Sequence, residues 1–533
     1  MGLLTEHARV FFDDNGERLN DRGRLVAVAV YCCVALVLLR RVKFWLVKNF
    51  PSNIREYVPY QHDAGGTDTV VVDCTHTHLP TLTHHKESTT PQFLKQRTGD
   101  TSTDVVLNAL TCETGWPAIR VASKVSCNHF DIDGLTSVWS LIYPLKARKH
   151  EYLLRAIARL GDMRELDFRD GSLTQEGHSI PPGSVADQAL RFCCWMNAVE
   201  ILKFTSPFEG DEFCESKKKY KHFLPLIADV LDVIAFDAEM ATITPEDARQ
   251  TGRTTELETK RVVMKHRSKN KLELWRGDNE RAIVLRDLSR LCNPALTKVS
   301  FHSEINVAFI ESNDTTPFHY YASFSAVKNA DVVVTMFADD GNDSNDGNES
   351  NTTHDLGSKI SKYEVEMRYV TFVDYQSRPT TPRLDLSILA KRLDAVENFG
   401  QKSIQKPSQK RWDVSGFTDS GPLLRINHEF HRLTKAQRYG APFERPVFPS
   451  SIPNDQFKSI VVSFFRHAFS EMAAKGVVPR GLKASGNGLK GGRDDLKGDT
   501  TEFNAIASVR KVGWTWRETR DAHATVDWGT WES

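Results

Sequence analysis

Seven residues, Asn128-His129-Phe130-Asp131-Ile132-Asp133-Gly134, constrain this chain more than any other stretch. They follow residues 119–127, read as a strand, and precede a helix expected from about residue 135 to 147. If the backbone stays extended beyond the strand, side chains alternate. His129, Asp131 and Asp133 then point one way, while Phe130 and Ile132 point into the protein. Gly134 lets the chain turn, and the following helix directs its N-terminus toward any bound anion. A strand that carries ionisable groups at its carboxyl end and hands over to a helix is a unit of an α/β fold. One imidazole and two carboxylates form a hard donor set suited to Mn²⁺ or Mg²⁺. The plainer alternative is a capped helix, with Asp133 as N-cap and His129 as a satisfied core residue, but one cap does not require three ionisable groups in register.

The rest of the chain fits that unit into a larger plan. Residues 69–73 (TVVVD) read as a short buried strand, because β-branched runs bounded by turn residues favour strands. Helices are expected over residues 101–110, 151–160, 185–202 and 221–236. Strands alternating with helices predict an α/β domain over 56–300 built on a mainly parallel sheet. Residues 301–475 change character. Strands expected at 307–310, 320–325, 332–337 and 363–375 and helices at 386–396 and 454–474 predict an antiparallel α+β subdomain. Within it, 339–355 (DDGNDSNDGNESNTTHD) has almost no apolar residue and is expected to be a disordered insert. Residues 1–55 form an N-terminal extension, and 476–533 a Gly-rich linker with a tail bearing Trp514, Trp516, Trp528 and Trp531.

Lys plus Arg and Asp plus Glu stand at 69 each, so the chain lacks the basic excess of a protein that lives on nucleic-acid phosphates. The basic stretch 261–271 reads as a solvated helix face. Nine cysteines without a Cys-x-x-Cys pair suit a reducing compartment. Residues 25–39 are unbroken apolar, flanked by Arg22, Arg24, Arg40, Arg41 and Lys43. Fifteen residues fall short of a bilayer's thickness, and extension to residue 47 draws cations toward hydrocarbon. The segment 25–47 is therefore read as a membrane anchor of a cytoplasmic-facing protein, with a core or interfacial helix as the alternative.

The His-x-Asp-x-Asp-Gly string, followed by a helix bearing Ser137, resembles the first motif of the DHH phosphoesterases. Asp73 at the end of a strand, then His84-His85, then Asp100-Thr101-Ser102 at a helix start, resemble that superfamily's Asp-His-His region placed ahead of the first motif, as in a permuted chain. Gly161-Asp162 resembles the remaining carboxylate motif. The resemblance implies Asp73, His84 and Asp162 as metal ligands beside His129, Asp131 and Asp133, with two Mn²⁺ or Mg²⁺ ions. It implies a metal-dependent phosphoesterase-like hydrolase acting on a phosphodiester or phosphoanhydride, with a small phosphorylated substrate or short nucleotide as partner. No Asp-His-His triplet follows residue 134, which supports the alternative of a non-catalytic DHH-like binding or scaffold module. Over residues 57–474 the chain more closely resembles an uncharacterised bacterial family, through Tyr57-Val58-Pro59-Tyr60, Thr90-Pro91, the Asn-His-Phe-Asp-x-Asp-Gly string and Pro382-Arg383-Leu384. Two further residues are candidate substrate contacts: His319, after Pro317-Phe318, and Arg368, whose guanidinium, with those of Arg378 and Arg383, could clamp a phosphate bidentately. An ordinary loop histidine and surface salt bridges are the alternatives.

Overall fold

Four short strands, β1 (Glu56–Tyr57), β2 (Thr69–Val72), β3 (Thr81–Leu82) and β4 (Lys124–Ser126), form an all-parallel sheet in the order β1-β4-β2-β3. The computed structural model describes residues 55–476, apart from 112–118, 167–179, 205–211, 340–359, 369–372, 400–410, 415–422, 428–446 and some shorter interruptions, and then 516–532. β2 is paired on both sides, Val71 with Ser126 of β4 and with Thr81 of β3, and Val70, Val71 and Val72 are wholly buried. A β-branched run without alternation is what a parallel strand covered on both faces requires. Arg55 pins the start of this sheet, donating to the carbonyls of Ala122 and Leu141 at 3.1 Å each.

Helices accompany the sheet, α1 (Ser102–Thr111), α2 (Ile132–Ile142), α3 (Glu151–Met163), α4 (Val185–Lys203), α5 (Glu212–Phe223), α6 (Ile227–Thr242), α7 (Thr254–Arg267) and α8 (Asp278–Leu291), of which α1 and α2 pack directly on its strands. The strand before the key motif is shorter than the expected 119–127, and α2 begins at Ile132 rather than near residue 135. The helix expected over 221–236 is two helices, α5 and α6, because the chain turns at Leu224–Leu226.

A second sheet orders its strands β5-β6-β7-β8-β10-β9, from β5 (Thr297–His302), β6 (Val307–Ser312), β7 (Val332–Ala338), β8 (Ile360–Met367), β9 (Arg411–Val414) and β10 (Leu423–Asn427). Its pairs are antiparallel except β6–β7, which is parallel. The architecture is thus mixed α/β, with one sheet parallel and one mixed. Alternation along β6 and β7 divides their side chains between two cores. Ala308, Ile310, Val333 and Phe337 join the core of the first sheet and its helices, whereas Val307, Phe309, Val332, Val334 and Met336 face a second core with α10 (Leu386–Phe399) and α11 (Asn454–Ala474).

The segment expected as a strand at 320–325 is a helix, α9 (Tyr320–Ala326). His319 explains it, because its Nδ1 accepts from the Tyr321 amide at 3.1 Å and so satisfies an open donor of the first turn. At the chain's end, Trp528 stacks on Phe464 of α11 with ring centroids 5.1 Å apart, and Trp531 Nε1 donates to Ser463 at 3.0 Å. These two tryptophans of the tail pack on the protein itself. Among the described residues no helix is long and apolar enough to cross a membrane, and the segment 25–47 lies outside them.

β7 and β8 pair up to Ala338 opposite Ile360, and apart from Asp339 the polar insert expected to be disordered lies outside the described residues. Replacing residues 340–359 with a four-residue turn should raise stability by about 1 kcal/mol, since each halving of a flexible loop recovers about 0.6 kcal/mol. Thermal and denaturant melts check this. A fall in the melting temperature would show that the insert packs against the body.

Candidate metal centre

The carboxyl ends of β2, β3 and β4 deliver Asp73, His84 and His129, each one to three residues past its strand. Asp73 turns there with φ 53°, a left-handed conformation that costs a non-glycine residue about 1 kcal/mol or more. Asp162 arrives from the last turn of α3. Asp131 and Asp133 come from the start of α2, but not by the alternation that an extended chain would give. Asp131 is extended and is itself the N-cap, its Oδ1 accepting from the Gly134 amide at 2.7 Å. The helix therefore starts inside the motif, and Asp133 lies in its first turn. Asp133 caps a different helix: its two oxygens accept from the Ser102 and Thr103 amides at the start of α1, at 2.6 and 2.8 Å. Two helix N-termini thus converge on one carboxylate cluster, and their dipoles favour its negative charge.

Asp73, His84, Asp133 and Asp162 each bring one ligand-type atom, all within 4.8 Å of one another. His84 Nε2 stands 3.6 Å from Asp73 Oδ1, 3.9 Å from Asp133 Oδ2 and 3.3 Å from Asp162 Oδ2. Its Nδ1 meets the Asp100 carbonyl, which can only accept, so the ring's proton sits on Nδ1. Nε2 then faces the three carboxylates and is buried without a hydrogen-bond partner. Carboxylates crowded beside an imidazole in a dry pocket are balanced either by protons on the carboxyls or by a cation, and the set of donor atoms could hold one.

The other oxygen of Asp73 faces a second group. Asp73 Oδ2 lies 3.3 Å from His129 Nε2, which is also 3.0 Å from Asp131 Oδ2. His129 Nδ1 contacts Asn128 Oδ1 at 2.6 Å. Both histidines thus direct Nε2 inward while a carbonyl oxygen orients Nδ1, the arrangement in which metal-binding imidazoles are held. Two other groupings share Asp73, one with Cys127 and His129 and one with His84 and His85. Cys127 approaches His129 through Nδ1, at 3.9 Å, the nitrogen already held by Asn128, so the carboxylates are the partners of Nε2. This side is also the open one: the Asp131 side chain is 41% exposed and that of His129 27%.

The six ligand candidates read from the sequence, Asp73, His84, His129, Asp131, Asp133 and Asp162, are brought to one place. His319 and Arg368 are not. His319 is buried as the cap of α9, with Nε2 3.1 Å from Glu280 and its amide bonded to Asp287. Arg368 is fully buried, its guanidinium engaged by Glu165 and by the carbonyls of Met163, Ala330, Phe324 and Val327, so its donors face protein rather than a phosphate. It acts instead on the segment just past Asp162, tying the end of α3 to β7 and α9. Arg378 lies outside the described residues. Supporting residues that the sequence did not single out include Ser102, whose hydroxyl donates to Asp73 Oδ1 at 2.7 Å, and Tyr220, whose hydroxyl donates to the His129 carbonyl at 3.1 Å. Ser102 was visible as part of a Ser/Thr-rich helix start, whereas nothing in the basic run before Tyr220 signals its place.

The model of the family of unknown function DUF6687 matches residues 53–476. The chain belongs to that family. The match spans both sheets and every candidate ligand, in line with the resemblance to an uncharacterised family over residues 57–474. No curated protein and no solved structure matches the chain.

Two glycines hold the site by their lack of a side chain. A Cβ on Gly134 would stand 2.9 Å from the Tyr220 hydroxyl and 3.1 Å from Asp73 Oδ2, and one on Gly161 would meet the Ile132 Cβ at 2.5 Å. Gly161→Ala should therefore destabilise the protein by about 1–3 kcal/mol through overpacking and swing Asp162 outward. Denaturant melts with and without Mn²⁺ check both effects. Unchanged stability would mean that α2 and α3 do not pack this closely.

Protonation makes a second test. Burial, and then the charges of neighbouring carboxylates led by Asp133, push the Asp73 and Asp162 carboxyls well above the usual range. Burial opposes charge on His129, but Asp131 and then Cys127 outweigh it and hold the imidazole well above its ordinary value. Burial likewise raises Asp131, yet the His129 charge outweighs it and brings the carboxyl down to about 2. Groups raised in the folded state stabilise it below their unfolded value and lose that contribution as pH climbs through the raised one. The opposing window of Asp131 lies below about pH 4. Chelator-treated protein should therefore melt progressively lower from about pH 5 to 9, while the Mn²⁺-induced rise in melting temperature grows, because the cation replaces protons. Melts in EDTA and in Mn²⁺ across that range check it. A metal increment of zero at every pH would contradict the reading of the cluster as a metal centre.

Proposed function

We propose that this chain is a metal-dependent phosphoesterase-like hydrolase with a two-ion centre. Asp73 would be shared between the ions, His84, Asp133 and Asp162 holding one and His129 with Asp131 the other. The observation that carries the reading is the His84 Nε2 atom buried without a hydrogen-bond partner against Asp73, Asp133 and Asp162, beside a second imidazole that approaches the other oxygen of Asp73. The resemblance of the His-x-Asp-x-Asp-Gly segment to the first DHH motif supports it, as does the meeting of Asp73, His84 and Asp162 with that segment in space, which a permuted DHH arrangement requires. A pair of Mn²⁺ or Mg²⁺ ions would supply an activated water and neutralise phosphoryl charge.

The protein's own residues do the positioning. The Asp100 and Asn128 oxygens fix the tautomer of each imidazole, and Ser102 orients the Asp73 carboxylate through its hydroxyl. The half-exposed Asp131 marks the side from which a substrate enters, while His84 and Asp133 stay dry behind it. That geometry suits a small phosphodiester or phosphoanhydride presented at its phosphorus, and a short nucleotide falls within the class.

Hydrolysis of bis(p-nitrophenyl) phosphate and of pyrophosphate by Mn²⁺-loaded full-length protein tests the proposal. Wild type should turn over at least one of them, EDTA should stop it, and Asp73→Asn should lower the rate by about a thousandfold or more. Two bound metals with no turnover of any phosphoester would leave the non-catalytic scaffold. Asn at position 73 with full activity would overturn the shared-ligand assignment.

A further inference from the structure

Away from the carboxylate cluster, α6, α7 and the turn that follows α7 line an open surface pocket of about 510 Å³, bounded by Val233, Asp237, Arg261, Met264, Lys265, Ser268, Lys269 and Trp275. None of these residues belongs to the candidate metal centre. The volume lies within the range of small-ligand sites, roughly 300–1,000 Å³.

We infer that this pocket is a second, metal-independent binding site for a nucleotide. Arg261, Lys265 and Lys269 follow one another at four-residue spacing, which sets them on one face of α7 and of the π-helical turn Ser268–Leu272 that continues it. None of the three has an ion-pair partner among the described residues, although their neighbours do: Lys260 binds Glu256, and Arg267 and Lys271 both reach Asp229. Like charges at this spacing repel, so three unpaired cations around one pocket store an interaction that an anion releases. Exposed cations elsewhere, such as Lys217 and Lys298, also lack an ion pair among the described residues, so what distinguishes these three is their placement around one pocket.

The other walls select what carries the anion. Trp275 is 53% exposed, unusual for the largest apolar side chain, and Arg276 lies over one face of its ring, 4.6 Å from the centroid, which leaves a single face for a planar group to stack on. Val233 and Met264 give the pocket an apolar floor. Asp237 binds Arg191 through Oδ2 at 2.8 Å, so its charge is balanced while Oδ1 stays available to accept from a hydroxyl. Phosphate cations, a planar platform and an acceptor for a sugar hydroxyl are the recognition elements of a nucleotide. This inference does not depend on what the metal centre does, because no residue is shared.

Calorimetric titration of full-length protein with ATP and with tripolyphosphate, in EDTA at low salt, tests it. Wild type should bind ATP more tightly than tripolyphosphate. Trp275→Ala should weaken ATP by about tenfold and leave tripolyphosphate unchanged. The double variant Lys265→Ala with Lys269→Ala should weaken both by at least about tenfold. These side chains are exposed, so unchanged melts should accompany every variant. Absence of ATP binding to wild type, or variants that bind as wild type does, would overturn the site. Equal affinity for the two ligands with no effect of Trp275→Ala would overturn its assignment to a nucleotide.

Discussion

A buried imidazole nitrogen without a donor to meet, surrounded by three carboxylates, is the constraint around which the parallel-sheet half of this protein is organised. Placing His84 Nε2 within 3.3 to 3.9 Å of Asp162, Asp73 and Asp133 concentrates acceptors where water does not reach. A fold tolerates this by supplying compensating dipoles and rigid supports, by keeping protons on the carboxyls, or by holding a cation there. The chain supplies both of the first two. The N-termini of α1 and α2 point at the cluster, Ser102 donates into it, and Gly134 and Gly161 let backbone and helix come close enough for the geometry to close.

The same groups serve folding and chemistry. Asp131 caps the helix that follows it, and Asp133 caps α1 from across the site, so neither carboxylate is an ornament on a finished scaffold. Substitution by Asn keeps a capping oxygen and removes a charge, which separates the two duties; substitution by Ala removes both. Arg368 shows the complementary case. Its buried guanidinium joins Met163, Glu165 and Ala330, so the half of the chain with the mixed sheet holds the end of α3 in place and with it Asp162.

Much of this was legible in the sequence where short-range physics decides. The β-branched 69–72 run, the 185–203 helix and the 454–474 helix emerge close to the expected bounds, because their apolar patterns match their burial. The candidate cluster was legible for a different reason: His129, Asp131 and Asp133 alternate with apolar residues, while Asp73, His84 and Asp162 were singled out only by the resemblance to the DHH motifs, and all six meet in space. Where tertiary contacts decide, pattern fails. Residues 320–326 look like a strand from their aromatic content, yet the His319 cap makes them a helix. The strand Thr297–His302 is polar enough to hide, since most of its side chains face out, and Leu423–Asn427 is buried but too short to stand out from its neighbours. His319 and Arg368 looked like surface groups, and burial gave each a set of protein partners that no local pattern announces.

The central claim is that the Asp73 carboxylate stands between two cation sites. Crystals of the full chain soaked in Mn²⁺ and measured at the manganese absorption edge test it most directly. Two anomalous peaks flanking Asp73 are predicted, one among His84, Asp133 and Asp162 and the other beside His129 and Asp131. A cluster that shows no peak at saturating Mn²⁺, with His84 Nε2 instead hydrogen-bonded to a protonated carboxyl, would contradict it.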